Sequence, residues 1–267
     1  MTVTGVSVKD CVGTGVVLGS QCVATNAAIR RCEIAGNATG VRHNGYQDGH
    51  LLAYLGCDIW HTRPARPQFS HCIISNNTGN GVAVSGRGYC GPVFDNTLVV
   101  RNGGHGVYLY DYRANAAGGD AYLVYCTIAD NGGTGVDTSA DLNSSYAHIV
   151  NSVICGNLIG LKGSTWGPIA AACSVVSGNG TEVAGESVTR TGCSDASIDF
   201  AVAYGDRSAY YPLASSPACG LARSLTAADF VAEPADDLVG NPRRNRDRRR
   251  VAGCFTRRVP GLVILVH

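Results

Sequence analysis

The sequence predicts an all-β solenoid of about seven coils of short strands, followed by an irregular C-terminal segment. Three observations carry that expectation. An Asn-x-x-Gly-Val unit recurs across roughly residues 3–185. The residues ahead of each asparagine alternate with period two, which is the period of a strand. No stretch of useful length shows the 3.6-residue period of a helix.

The repeat comes first, because self-similarity at a fixed period decides the architecture. Its fullest copies are "NTGNGV" (Asn77–Val82), "NGGHGV" (Asn102–Val107) and "NGGTGV" (Asn131–Val136). Shorter copies begin at Asn37, Asn157 and Asn179, and "CVGTGV" puts Cys11 in the asparagine position. From Asn37 to Asn179 the successive spacings are 40, 25, 29, 26 and 22 residues, so one unit carries a long insertion. A phosphate-binding loop is excluded for "NGGHGV", because no helical pattern follows Val107.

Each unit opens with a strand whose inward pairs are Cys32/Ile34, Cys72/Ile74, Thr97/Val99, Cys126/Ile128, Ser152/Ile154 and Ser174/Val176. The asparagine and its glycines then predict a bend, with the glycines expected to supply unusual φ values. A second short strand, Gly-Val-x-apolar, follows. Stacked coils align equivalent positions in columns. The column Val16, Val41, Val82, Val107, Val136, Leu161 and Val183 points inward, each buried side chain contributing roughly 1.5–3 kcal/mol. The asparagine column becomes an amide ladder, since an unpaired buried amide costs about 1–3 kcal/mol.

Composition sets further bounds. Among 267 residues, 45% are apolar and 15% charged, enough to bury a core; the 35 glycines fit many bends. Residues 241–258 hold eight arginines and one aspartate, against a mildly acidic remainder. That run has no interleaved aromatics, so a solvated tail is expected and no nucleic-acid partner. No 18-residue apolar run is present, so no membrane span is expected. "MTVTGVSVKDC" lacks the charged and apolar regions of a signal peptide. With a start inside a coil and the C-terminal departures given below, the chain reads as a fragment, a mis-called start or a decayed copy.

The registered Asn-x-x-Gly-Val units resemble those of the right-handed parallel β-helix repeat proteins. The fold class expected is an all-β, right-handed parallel β-helix over residues 1–190, with an insertion at 42–68 and an irregular segment with a basic tail at 191–267. The stretches "SIDFAVAYGDRSAYYPLASSPACGLA" (Ser197–Ala222) and "DDLVGNPR" (Asp236–Arg243) are similar to the end of bacterial cell-surface β-helix proteins of the choice-of-anchor kind. Ser216-Pro217-Ala218 and Asp237 through Arg243 carry that likeness, while Val251–Cys254 departs from the final Asp-Ile-Gly-Ala element. The resemblance implies export, an extracellular or cell-surface location, and a function among polysaccharide lyases, hydrolases and surface scaffolds. It supplies no active site.

Candidate chemistry follows from the columns. In Gly-Val-x-apolar strands the x residue faces outward, giving Val17, Arg42, Ala83, Tyr108, Asp137, Lys162 and Ala184. Two residues on come Gly19, Asn44, Ser85, Tyr110, Ser139 and Ser164. Lys162 and Asp137 are the catalytic candidates, with Lys162 as the base that related enzymes set beside a uronate carboxylate. The plainer reading of the pair is an exposed cross-coil ion pair. Arg42, Tyr108, Tyr110, Asp111 and Arg113, with Trp60 and His61 from the insertion, are the substrate-binding candidates. Aromatic faces with interspersed charges suit a sugar chain. No metal is expected: the insertion's His50, His61, Asp48 and Asp58 match no standard site. No cofactor is expected, and the chain is read as a monomer.

His105 reads as a turn residue in the place of Asn80 and Thr134, and His71 as a solenoid position. Cys32 and Cys72 read as buried thiols, although adjacent coils make a disulfide between them geometrically open. Cys57, Cys90, Cys193, Cys219 and Cys254 read as disulfide candidates. The leading function is contact with polysaccharide along one solenoid face, with a lyase or hydrolase as its enzymatic version. The alternative is a non-catalytic scaffold.

Overall fold

The computed structural model describes residues 2–18, 27–45, 66–86, 91–111, 120–141, 145–198, 200, 210–229, 231–243 and 250–256. Seven windings each contribute one short strand to each of three parallel sheets, and Val188–Thr191 adds an eighth strand to the first, giving sheets of eight, seven and seven strands among the described residues. The parallel β-helix expected from the repeat is the fold. Sheet A holds Thr2–Thr4, Ala28–Arg30, Gln68–Ser70, Val93–Asp95, Ala121–Val124, Ala147–Val150, Ile169–Ala172 and Val188–Thr191. Sheet B holds Ser7–Lys9, Glu33–Ala35, Ile73–Ser75, Leu98–Val100, Thr127–Ala129, Val153–Cys155 and Val175–Val176. Sheet C holds Thr14–Leu18, Thr39–Gly45, Val82–Gly86, Val107–Asp111, Thr134–Asp141, Ile159–Gly163 and Thr181–Gly185. Arg42 and Gln68 lie in strands, so regular structure enters both ends of the stretch read as an insertion.

The inward columns fill the bore. Val41, Val82, Val107, Val136 and Leu161 are fully buried with Ile34, Ile74, Val99, Ile128 and Ile154 from sheet B. Phe69 and Phe94 stack across sheet A with ring centroids 4.8 Å apart. The asparagine ladder is continuous. The backbone N–H and side-chain amide of Asn77 both donate to Oδ1 of Asn102, at 3.1 and 2.8 Å. Asn102 does the same to Asn131, and Asn131 to Asn157. The second amide proton reaches back to the previous winding, as from Asn131 to the Val99 carbonyl at 3.2 Å. Every buried amide is thereby satisfied within the column.

The glycines play a different part from the one expected. Positive φ falls on the residue before each ladder asparagine, Gly36, Asn76, Arg101, Asp130, Gly156 and Gly178, and on Asp10 before Cys11, which holds the asparagine position. The glycines after the asparagine are needed for close approach instead. A Cβ on Gly106 would lie 2.6 Å from Ile128 Cγ2 and 2.9 Å from Asn131 Nδ2.

A second column of small donors lines the corner between sheets A and B. The Cys126 thiol donates to the Phe94 carbonyl at 3.4 Å, and the Ser152 hydroxyl to the Leu123 carbonyl at 3.2 Å. Cys32, Cys72 and Cys126 are free thiols, and burial pushes Cys72 up to about 12. Cys193 and Cys254 are also free thiols, and the Cys219 thiol donates to the Leu213 carbonyl at 3.3 Å, which corrects the disulfide expectation for all three. Cys254 is fully buried against Thr127, not in an open tail. Cys57 and Cys90 lie outside the described residues.

The C-terminal segment is irregular but packed. Tyr210, Ala218, Leu238, Val251 and Phe255 cover the outer side chains of sheet B, including Leu98, Val100, Ala129 and Val153. It is fastened along one row of corner residues. His71, Asn96, Tyr125 and Asn151 follow successive sheet A strands, and all have positive φ. His71 Nε2 meets Asp236 at 3.1 Å. Asn96 accepts from Arg243 Nε at 2.9 Å. Tyr125 donates to Glu233 at 2.8 Å. Asn151 exchanges two bonds with the Arg223 backbone, both at 2.9 Å. Left-handed backbone costs a non-glycine residue roughly 1–2 kcal/mol, and these corners spend it on side chains that hold the tail. Arg243 is 6% exposed, with its guanidinium 4.1 Å from the Tyr125 ring centroid. That corrects the solvated-tail reading at this position; residues 244–249 lie outside the described residues. Asp237 is fully buried and accepts from the backbone N–H of Val239, Asn241 and Thr256. No helix among the described residues is long and apolar enough to cross a membrane.

Candidate functional site

Sheet C presents the outward column in the expected order. Val17 pairs with Arg42, Arg42 with Ala83, Ala83 with Tyr108, Tyr108 with Asp137, Asp137 with Lys162, and Lys162 with Ala184. Coil spacing of about 4.8 Å puts Arg42 and Lys162 about 19 Å apart along this strip.

The second outward column departs from expectation. Register shifts between Tyr108 and Tyr110, so Tyr110 pairs with Ala140 rather than Ser139. One extra residue in the strand Thr134–Asp141 forms a bulge, and a bulge re-aims side chains. Ser139 turns back onto Asp137: its N–H and hydroxyl both donate to Asp137 Oδ1, at 2.8 and 2.6 Å.

Asp137 is only 3% exposed, although it sits on the outer face. Its Oδ2 lies 3.9 Å from Lys162 Nζ and 3.7 Å from His105 Nδ1. The pair is therefore not the exposed ion pair of the plainer reading, because one partner is covered. His105 reaches the strip from its bend. Its ring stacks on Tyr108 at 4.9 Å, and Tyr108 on Tyr110 at 5.2 Å, both with planes within 18°.

The state of His105 follows from its bonds. Its backbone N–H donates to Asn80 Oδ1 at 2.9 Å, and its Nδ1 accepts the Thr134 N–H at 3.0 Å. His105 thus replaces an asparagine in a second, shorter ladder, as its place in the bend suggested. An accepting Nδ1 carries no proton, so the ring is neutral. Burial pulls its pKa below the usual histidine value, and Lys162 adds to this against the opposing pull of Asp137.

The structure thus gathers Tyr108, Tyr110, Asp137 and Lys162 into one strip, with Arg42 two windings away in the same column. The strand pairing sets Asp111 beside Asp141 at the strip's edge. Arg113, Trp60 and His61 lie outside the described residues. Sequence reasoning missed Ser139 as the Asp137 partner, because the bulge leaves no mark in the repeat. It also missed a group on sheet A. There Tyr122 stacks on His148 at 4.5 Å, Arg66 lies over Tyr122 at 4.5 Å, and the Tyr122 hydroxyl donates to Asp120 at 3.3 Å. Burial raises the Asp120 carboxyl and lowers the His148 imidazole from their ordinary values. Among the described residues, no group of three His, Cys, Asp or Glu side chains is arranged to hold a metal.

Comparison with known proteins follows the fold. No curated protein and no solved structure matches the chain. The family model described as "Right handed beta helix region" matches residues 1–193, most of the chain and all of its described strands. The chain belongs to the right-handed β-helix family.

Proposed function

We propose that this is a secreted or cell-surface β-helix protein that contacts an acidic polysaccharide along the outer face of sheet C. The single observation that carries this reading is the row of stacked rings His105, Tyr108 and Tyr110, which crosses at Tyr108 the straight column that runs from Arg42 to Lys162. The rings supply apolar edges and phenol hydroxyls for sugar; the exposed Arg42 suits a uronate carboxylate, while Lys162, 39% exposed and 3.9 Å from Asp137, presents its remaining ammonium donors to the same polymer. Stacked windings hold these groups rigid, so the protein pays little ordering cost when a polymer docks.

Binding fits the geometry better than hydrolysis. A glycosidase needs two carboxylates about 5–9.5 Å apart. Asp137 has one oxygen occupied by Ser139, and among the described side chains no second carboxylate faces it. The enzymatic version of the reading rests on Lys162 and Asp137 as the reacting pair.

Affinity electrophoresis through gels containing pectin, alginate, hyaluronan or neutral glucan tests the reading. Retardation by at least one acidic polymer, weakened by salt, supports it. Free migration through all of them leaves the scaffold as the function. New reducing ends or an unsaturated ultraviolet-absorbing product, lost in Lys162→Ala and Asp137→Ala, would convert binding into catalysis.

A further inference from the structure

Sheet A carries a recess that the sheet C strip does not use. Its outward columns change size abruptly along the stack. Tyr122 pairs with His148, His148 with Ala170, and Ala170 with Thr189. In the parallel column Val124 and Val150 give way to Ala172 and Thr191. Two large rings are therefore followed by small side chains, which leaves a step in an otherwise regular face.

The step is closed on its far side by the C-terminal segment, where Arg223 and Asp229 form a bidentate pair at 2.6 and 2.9 Å. The resulting hollow has a volume of about 210 Å³ and is lined by Tyr122, His148, Ala170, Thr189, Arg223 and Asp229 among others. Its aromatic wall is held in place. The His148 and Tyr122 planes lie within 3°, and Tyr146 flanks the same imidazole at 6.1 Å. Stacked rings already occupy the column at Tyr122 and His148, and a ring-shaped ligand over Ala170 would continue that stack by one winding.

We infer that this recess binds one neutral pyranose ring, its C–H face on His148 and its hydroxyls on Arg223, Asp229 and Thr189. Size suits a single sugar unit. Neutrality follows from the charges present: Arg223 is already balanced by Asp229, and burial holds the His148 imidazole toward its neutral form. Asp229 Oδ2 is filled by Arg223 and by the N–H and hydroxyl of Thr226, but Oδ1 accepts from Arg223 alone and keeps an acceptor site beside the Arg223 donors, the donor and acceptor pattern that a diol requires. The inference shares with the proposed function the premise of sugar contact, but none of its residues.

Saturation-transfer NMR on the full chain with methyl glucoside, methyl galactoside and methyl mannoside tests it. At least one should receive saturation on its ring protons. Ala170→Phe, which fills the recess from an exposed position, should abolish the signal, and His148→Ala should weaken binding about tenfold or more. Tyr108→Ala should leave it unchanged. Thermal melts establish that each variant folds. Transfer that survives Ala170→Phe in a folded protein, transfer to none of the three glycosides, or preference for an indole or other flat aromatic over every glycoside would each overturn the inference. Loss in Tyr108→Ala with retention in Ala170→Phe would overturn it while leaving the sheet C reading intact.

Discussion

Arg243 donates from Nε to Oδ1 of Asn96 at 2.9 Å, joining residues 147 positions apart. The same guanidinium donates to the carbonyls of Val251 and Gly253. Asn96 stands at φ 46°, a conformation glycine adopts at no steric cost. Asn96→Gly separates the two effects. It relaxes the corner but leaves a buried cation short of an acceptor, and the second effect is larger. Limited proteolysis should show cleavage within residues 210–256 rising several-fold, with the solenoid itself intact. An unchanged cleavage rate would mean that the corner row does not hold the tail.

The ladder makes a graded prediction. Asn131→Ala removes the acceptor for both donors of Asn102 and should cost roughly 2–5 kcal/mol in urea unfolding. Asn179→Ala, at the end of the column where burial is partial, should cost less. Equal costs would show that the amides act singly rather than as a stack.

His105 gives the pH dependence. Its folded-state pKa lies below the unfolded value of about 6.5, so the folded chain binds fewer protons there. The stabilising contribution is complete above pH 6.5 and is lost as pH falls through the lowered folded value. His148 acts in the same direction. Asp120, whose carboxyl is raised, acts in the opposite direction at lower pH. Melting temperature should therefore drop from pH 7.5 to pH 5. His105→Asn keeps a ladder acceptor without a titrating ring and should flatten part of that drop. A slope unchanged by the substitution would place the proton elsewhere.

Much of this was legible in the sequence, because a repeat converts local spelling into position. Val107, Val136 and Leu161 recur at one offset from their asparagines, and stacking put them in one column. The outward order Tyr108, Asp137, Lys162 followed from the same arithmetic. What the repeat does not encode was missed. The bulge at Ser139 adds a residue without altering the Gly-Val frame, so Tyr110 slipped against Ala140. Asp137 is met by Ser139 through the bulge and by a histidine from a bend, neither of which the column arithmetic places beside it. The tail's grip on His71, Asn96, Tyr125 and Asn151 has no period at all, and links residues up to 165 positions apart. Glycines were assigned to φ when most serve contact, because both needs exclude a side chain and look alike in sequence.

Isothermal titration of the acidic polymer retained most strongly in the gels, against the wild-type chain and Tyr108→Ala, tests the sheet C reading most directly. Tyr108 lies on the outer face between His105 and Tyr110, so its removal should spare the fold. The account predicts an unchanged melting temperature, within about 2 °C for a surface change, and affinity reduced about tenfold or more, the loss of about 1.4 kcal/mol that one aromatic contact supplies. Equal affinity in the two proteins would contradict it.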